Sequence, residues 1–260
     1  MIQLSLQDRT YVVMGVANKR SIAWGIARSL AKAGARLIFT YAGERLEKNV
    51  RELVATLEER DDHLIFPCDI TSDEEIEDTF HKIKEEVGVI HGLAHCIAFA
   101  KTEELKGEYI NTSRDGFLLA HNISAYSLTA VAKAARPLMK EGGSIVTMTY
   151  LGGERVVKNY NVMGVAKASL DASVKYLAND LGKDNIRVNM ISAGPIRTLA
   201  AKGIGDFNSV LKEIEERAPL RRTTTQEEVG DTALFLMSDL SRGITGECIH
   251  VDSGFHIIAI

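Results

Sequence analysis

The chain is poor in cysteine and proline, carries little net charge and lacks long apolar runs. Each shortage narrows what it can be. Its three cysteines, Cys68, Cys96 and Cys248, are an odd number with no metal-ligand spacing. Each lies in or beside an apolar, strand-like run. They read as reduced, buried thiols of a cytoplasmic protein, not as disulfides or metal ligands. Only four of the 260 residues are proline, and no Pro- or Ser-rich linker, repeat or low-complexity run divides the chain. The formal net charge is −4 with both signs interspersed, which argues against nucleic acid as a partner and gives no attraction to membranes. Met1 to Ser5 has no basic start followed by an apolar stretch, and no segment is long and apolar enough to span a bilayer.

What is present is a core. Hydrophobic residues make up 45% of the chain, enough for one large α/β domain over residues 1–260. Short apolar runs alternate with segments of helical periodicity. The runs are Tyr11–Val16, Arg36–Tyr41, His63–Asp69, Leu93–Ile97, Ser144–Met148, Ile186–Ile191 and Ile249–Val251. Between them, Ile22, Ile26, Leu30 and Ala33 recur at helical spacing before Gly34, Glu44 to Glu59 reads as a charged surface helix, and Asp73 to Val87 opens with acidic residues. Ser113 to Met139 reads as one long helix, and another follows Tyr160 as far as Leu181. Seven strands alternating with helices predict a Rossmann-type, doubly wound parallel sheet.

In such a sheet, ligands bind at the carboxyl ends of the strands. Thr149 to Lys167 sits at one of these ends, where a strand, a Gly152-Gly153 loop and a helix start come together. Tyr160 and Lys167 are seven residues apart, about two helical turns, so they share a side. A phenol can give a proton to an oxygen gaining negative charge, and a nearby ammonium lowers the phenol's pKa. The pair suits a reduction through an enolate or alkoxide.

The first βα turn, Gly15 to Ala27, has only the first glycine of a dinucleotide fingerprint. Ser21 is either a plain helix cap or a phosphate-binding hydroxyl, and Gly25 reads as close helix-on-strand packing. Strand two ends in Tyr41-Ala42-Gly43, with no acid at its tip for a ribose and no basic pair for a 2′-phosphate. This favours NADH over NADPH. Arg45 and Lys48 read as solvated helix charges pairing with Glu44 and Glu52. Asp69 is either an adenine contact or a turn residue before Thr71. Asn122 is expected to make a structural hydrogen bond, and His95 and His121 to be satisfied core or cleft histidines. Asp252-Ser253-Gly254 reads as a turn, and Lys212–Arg217 as a solvated helix face. Ala200, Ala201, Gly203 and Gly205 after Pro195 predict a flap over the pocket near residues 195–218 that orders on ligand binding.

Three segments carry a family resemblance: Gly15–Ala27 with its Ser21-Ile22-Ala23, Tyr160–Ser169, and Ile191–Ala200. Across essentially the whole chain the sequence resembles the short-chain dehydrogenase/reductase superfamily. It is most similar to its divergent branch, the bacterial enoyl-[acyl-carrier-protein] reductases of type II fatty acid synthesis. Most superfamily members place Tyr four before Lys. Here that position is Met163, which cannot act as an acid, and the place of the usual Ser is taken by Tyr150. The resemblance implies that Tyr160 hydrogen-bonds the thioester carbonyl, that Lys167 holds the nicotinamide ribose, and that Tyr150 lines the pocket as the third catalytic-site residue. It implies NAD contacts at Gly15, Ser21, Ile22, Asp69, Ile70, Ile97, Lys167, Ile196, Arg197, Thr198, Leu199 and Ala200, with Ala100 near the substrate. At Ala42 some relatives have a polar residue touching the adenosine, a contact missing here. Acyl carrier protein is the implied partner. A homotetramer is implied too, and surplus apolar positions on Ser113–Met139 and Tyr160–Leu181 agree with it. A ketoreductase of the same fold and a catalytically silent nucleotide sensor are the alternatives. Met163 opposes the first, and the presence of Tyr160 and Lys167 opposes the second.

Overall fold

The computed structural model describes residues 5–198 and 207–259. Seven parallel strands form one sheet in the order β3-β2-β1-β4-β5-β6-β7. The strands are β1 (Thr10–Met14), β2 (Arg36–Tyr41), β3 (Leu64–Pro67), β4 (Gly92–His95), β5 (Gly143–Thr149), β6 (Ile186–Ala193) and β7 (Cys248–Val251). The helices are α1 (Ile22–Lys32), α2 (Glu44–Val54), α3 (Asp73–Val87), α4 (Arg114–His121), α5 (Ser127–Ala135), α6 (Asn161–Leu181), α7 (Phe207–Arg217) and α8 (Gln226–Leu236). The strand order reverses between β1 and β4, which opens a crevice at their carboxyl ends.

Alternation along each strand fills both faces. Val12, Met14 and Ile145 point into a core shared with α3, α5 and α6, whereas Tyr11, Val13 and Val146 point into one shared with α1 and α8. A parallel sheet covered on both faces buries its strands completely, and all five residues of β1 are buried.

Side chains cap three of the described helix starts, at α3, α4 and α8. Ser72 caps α3, accepting from the Glu75 N–H at 3.2 Å, and Asp73, Glu74 and Glu75 fill the first turn. Thr225 and Glu228 form a reciprocal capping box at α8. This helix is not among the elements expected from periodicity, although Thr225-x-x-Glu228 carries the signal.

Four expectations need correction. The Ser113–Met139 helix is not continuous: a wide π-type turn over Asn122–Tyr126 separates α4 from α5. One inserted residue's worth of slack turns Ser124 inward, where its hydroxyl accepts from the Phe99 N–H at 3.0 Å and donates to the Phe99 carbonyl at 3.1 Å. Asn122 itself is exposed and makes no side-chain hydrogen bond to the described residues. The second helix ends at Val54, five residues short of Glu59. Gly25 packs on a helix, not a strand: a Cβ there would sit 2.6 Å from Gln226 Cγ and from the Gln226 carbonyl oxygen. In return, a Cβ at Gly230 of α8 would sit 2.5 Å from the Gly25 carbonyl oxygen.

Other readings agree with the structure. His95 is fully buried between Thr147 Oγ1 (3.1 Å) and Ser127 Oγ (2.9 Å). His121 stacks on Phe117 with centroids 3.9 Å apart. Asp252–Gly254 forms a turn with Ser253 and Gly254 at positive φ. On α7, Leu211 and Ile214 are buried while Lys212 and Glu216 pair at 3.7 Å on the solvated face. Lys48 pairs with Glu52 at 3.9 Å, and the three cysteines are free as expected, although only Cys68 is fully buried while Cys96 and Cys248 are partly exposed. Among the described residues no helix is long and apolar enough to cross a membrane.

Candidate active site

A cavity of about 680 Å³ opens at the carboxyl ends of β1, β4, β5 and β6. Its first wall is the β1–α1 turn. Gly15 lies at φ 97°, and a Cβ there would collide with the Cys96 carbonyl, so only glycine lets the turn lie this close to β4. Ser21 directly precedes α1, yet its hydroxyl makes no bond to the helix's first turn. It accepts instead from the N–H groups of Ala17 and Asn18, both at 3.1 Å. Ser21 thus ties the loop that lacks the later glycines. Gln226 of α8 donates to the Ser21 carbonyl, so α8 braces the same turn from behind. That contact is invisible in sequence, because Gln226 is 205 residues away.

The second wall is the β5 end and the start of α6. Tyr150 leaves β5 in extended conformation. Asn159, at φ 60°, turns the chain into Tyr160, the residue just before α6. The rings of Tyr150 and Tyr160 meet at 72° with centroids 5.0 Å apart, and both line the cavity. Lys167, two turns on, lines it too. Its ammonium donates to the Met148 carbonyl at 2.7 Å.

Burial sets the electrostatics. It raises the Tyr160 phenol far above its ordinary value, with smaller raising effects from Tyr150 and Asp171, and pushes Tyr150 up to about 12. It pulls Lys167 down to about 8 against the raising influence of Asp171. The expected lowering of the phenol by the ammonium is therefore absent. Lys167 is turned to the Met148 carbonyl, and desolvation dominates at Tyr160. Tyr160 stays protonated at neutral pH, so its hydroxyl can donate.

Gly15, Ser21, Ile22, Ile97, Ala100, Tyr150, Tyr160, Lys167, Ile196 and Thr198 are brought together around this one cavity. Others sit elsewhere. Asp69 accepts from the Thr71 N–H at 2.9 Å and its hydroxyl at 2.8 Å, the turn arrangement. Ile70 is buried in the core on the α3 side. Arg197 donates to Asn208 Oδ1 at 2.7 Å. Leu199, Ala200 and the middle of the expected flap, residues 199–206, lie outside the described residues. Val210 of α7 lines the cavity.

Met163, four before Lys167, lines the cavity, as does Met148. One charged residue near Lys167 in the chain is not among those expected. Asp171, one turn after Lys167 on α6, faces the Gly153 backbone, where a Cβ would sit 2.8 Å from Asp171 Oδ2. Its i+4 spacing from Lys167 was the available signal.

The donor set and the glycine-cradled turn fit a nicotinamide dinucleotide: a close backbone approach at Gly15, N–H groups at a helix start, and a buried ammonium. The family profile described as Enoyl-(Acyl carrier protein) reductase matches residues 15–256. The chain is 79% identical over 258 residues to the enoyl-[acyl-carrier-protein] reductase [NADH] FabI of Bacillus subtilis (strain 168), covering 99% of this chain and 100% of that one. It is 62% identical to the enoyl-[acyl-carrier-protein] reductase [NADPH] FabI of Staphylococcus aureus (strain MRSA252), covering 98% and 99%. The crystal structure of the Bacillus cereus enoyl-acyl carrier protein reductase with NADP+ and indole naphthyridinone superposes with a TM-score of 0.97 at 74% identity, covering 100% of both chains. A profile over nearly the full length, and relatives this similar end to end, place the chain in the enoyl-(acyl carrier protein) reductase family.

Proposed function

We propose that this chain reduces the trans-2 double bond of enoyl thioesters carried on acyl carrier protein, using NADH, in type II fatty acid synthesis. The observation that carries the reading is that Tyr160 and Lys167 face one cavity whose opposite wall is the Gly15–Ile22 turn. Bound NADH supplies the hydride for the β-carbon. Gly15, Ser21, Ile22, Ile97, Ile196 and Thr198 hold the dinucleotide, and the Lys167 ammonium takes the ribose hydroxyls. The Tyr160 hydroxyl, kept protonated by burial, donates to the thioester oxygen as negative charge builds there. Tyr150 shapes the acyl side of the pocket beside Ala100. Met163 stands where a ketoreductase needs an acid and lines the cavity without one.

NADH is the preferred nucleotide because Ala42 and Gly43 follow Tyr41 with no basic pair, even though a relative named for NADPH and a structure with NADP+ stand close by. The protein works as one domain whose 195–218 segment covers the pocket, a role supported by Ile196, Thr198 and Val210 on its wall. Assembly as a homotetramer is supported by exposed apolar side chains on α4 to α6, including Leu118, Tyr126 and Tyr176. Free cysteines accord with the reducing cytoplasm. The test is NADH oxidation with a crotonyl thioester, set against NADPH and a ketoacyl thioester. Turnover should favour NADH and the enoyl substrate, and a ketoacyl preference would overturn the reading. Light scattering at micromolar concentration should give four chains.

A further inference from the structure

A second cluster of reactive side chains lies at the β7 edge of the sheet, and none of its members lines the cavity. β7 is the last strand and pairs with β6 alone. Cys248 and His250 stand two apart on it, so they face the same side. Glu154 reaches them from the turn that follows β5, where its N–H donates to the Leu151 carbonyl at 3.0 Å. Glu154 Oε1 lies 3.0 Å from His250 Nε2. One ligand atom from each of the three residues lies within 4.8 Å of the other two. Among the described residues no other group of His, Cys and carboxylate side chains comes together in this way.

The imidazole of this cluster is held in place. His250 stacks on His256 with centroids 3.9 Å apart and planes 13° apart. His256 is fixed in turn, its N–H donating to Asp252 Oδ2 at 2.8 Å and its Nδ1 lying 3.0 Å from Asp252 Oδ1. A ring braced by such outer contacts is already oriented to bind. The sulfur sits among negative groups. Burial, then the carboxylates of Asp171 and Glu154, push the Cys248 thiol up to about 12. Surroundings that disfavour a lone thiolate favour a cation beside it. Thiolate, imidazole and carboxylate together form a donor set for zinc-like divalent ions, which bind such donors at about 2.0–2.3 Å. Tetrahedral placement at those lengths spaces the donors roughly 3.3–3.8 Å apart. Starting within 4.8 Å, the three atoms need to close by only about an ångström. The exposed Glu154 side chain is free to make that movement.

We propose that Cys248, His250 and Glu154 form a binding site for a divalent cation of the zinc type, with solvent in the fourth position. As the sulfur–metal bond forms, the Cys248 proton leaves to solvent and no electron changes hands. Thiolate and carboxylate together balance the double charge of the ion. The bound cation ties the chain between Tyr150 and Tyr160 to the last strand, because Glu154 belongs to the first and Cys248 and His250 to the second. Cys248-x-His250 is too short a pattern to announce a site, and Glu154 lies 96 residues before His250, so the sequence shows no ligand spacing.

The test titrates chelator-treated protein, carrying no histidine tag, with cobalt(II) chloride and with zinc chloride. One cobalt should bind per chain, with a near-ultraviolet thiolate-to-cobalt absorption that added zinc removes by displacement. Cys248→Ser should lose that absorption. Cys248→Ser, His250→Ala and Glu154→Gln should each weaken binding of both ions by about tenfold or more, the loss that even an outer-shell partner causes. Cys68→Ser, whose thiol is buried elsewhere, should bind like the wild type. Melting curves without metal establish that the variants are folded, and Glu154→Gln, at an exposed side chain, decides the matter if Cys248→Ser folds poorly. Absence of stoichiometric binding, or wild-type affinity in Cys248→Ser or in Glu154→Gln, would overturn the proposal. So would loss of the absorption in Cys68→Ser. The cluster would then be a His250–Glu154 pair beside an ordinary thiol.

Discussion

The edge of one tyrosine meets the face of another in the wall of the site: Tyr150 and Tyr160 cross at 72° with centroids 5.0 Å apart. Burial keeps both hydroxyls protonated, so their chemistry differs by position alone. Tyr160 directly precedes α6, which carries Lys167 two turns on, whereas Tyr150 directly follows β5.

In the proposed reaction, Tyr160→Phe removes a donor whose bond strengthens as charge develops on the substrate oxygen. The turnover number should fall about a hundredfold while NADH affinity is kept. Tyr150→Phe should cost less than about tenfold, because packing survives the loss of its hydroxyl. Steady-state kinetics beside NADH titration separates the two. A Tyr150→Phe variant more damaged than Tyr160→Phe would exchange the assigned roles.

Lys167 couples function to a stability cost. Its folded pKa of about 8 lies below the ordinary 10.5, so below pH 8 the fold carries a buried ammonium it would rather not hold. Lys167→Met should therefore melt higher at pH 7 while losing NADH binding and turnover. The depressed pKa corresponds to roughly 3 kcal/mol, or a rise on the order of 5 °C. Between pH 8 and 10.5 the unfolded chain binds the extra proton, so wild-type stability rises with pH there and the variant's advantage should shrink. Differential scanning calorimetry at pH 7 and pH 9 reads both effects. A lower melting point at pH 7 would show that the methionine loses more in packing than it gains.

How much of this was legible beforehand depends on the range of the contact. Strand and helix periodicity marked all seven strands, because parallel strands buried on both faces read as apolar runs. Tyr160 and Lys167 were legible through helical spacing. The break at Asn122–Tyr126 was not, since a π-type turn changes no residue pattern and serves Phe99, more than twenty residues earlier in the chain. Asp69 was ambiguous because a turn acid and a ligand acid look alike until Thr71 supplies both donors. The α1–α8 contact was illegible: Gly25 shows in sequence that something approaches closely, but not that the neighbour is Gln226.

That contact gives a third prediction. Gly25→Ala forces α8 away from α1, because the added methyl would lie 2.6 Å from Gln226 atoms. Overpacking of this kind costs about 1–3 kcal/mol. Gln226 also holds the Ser21 carbonyl, so the KM for NADH should rise with the fall in melting temperature. Gln226→Leu keeps the helix but removes the donor, and should raise that KM with a smaller thermal effect. An unchanged KM in both variants would mean that the turn keeps its shape without α8.

His95 sets the acid limit of the fold. It is fully buried, held by Thr147 and Ser127 hydroxyls. Burial first, and the Lys167 charge second, lower it from 6.5 to about 3. Between those values the unfolded chain binds a proton that the folded chain refuses. Stability at this residue is therefore present above pH 6.5 and lost progressively as pH falls toward 3. His95→Gln keeps a donor and an acceptor between the two hydroxyls but cannot titrate. It should be less stable than wild type at pH 7, where the imidazole fits best. Its deficit should narrow by about 1.4 kcal/mol for each pH unit below 6.5. Thermal unfolding at pH 7, 6 and 5 measures that deficit directly. A deficit that stays constant across the three pH values would show that His95 takes up its proton without leaving the core, and that acid destabilises the fold elsewhere.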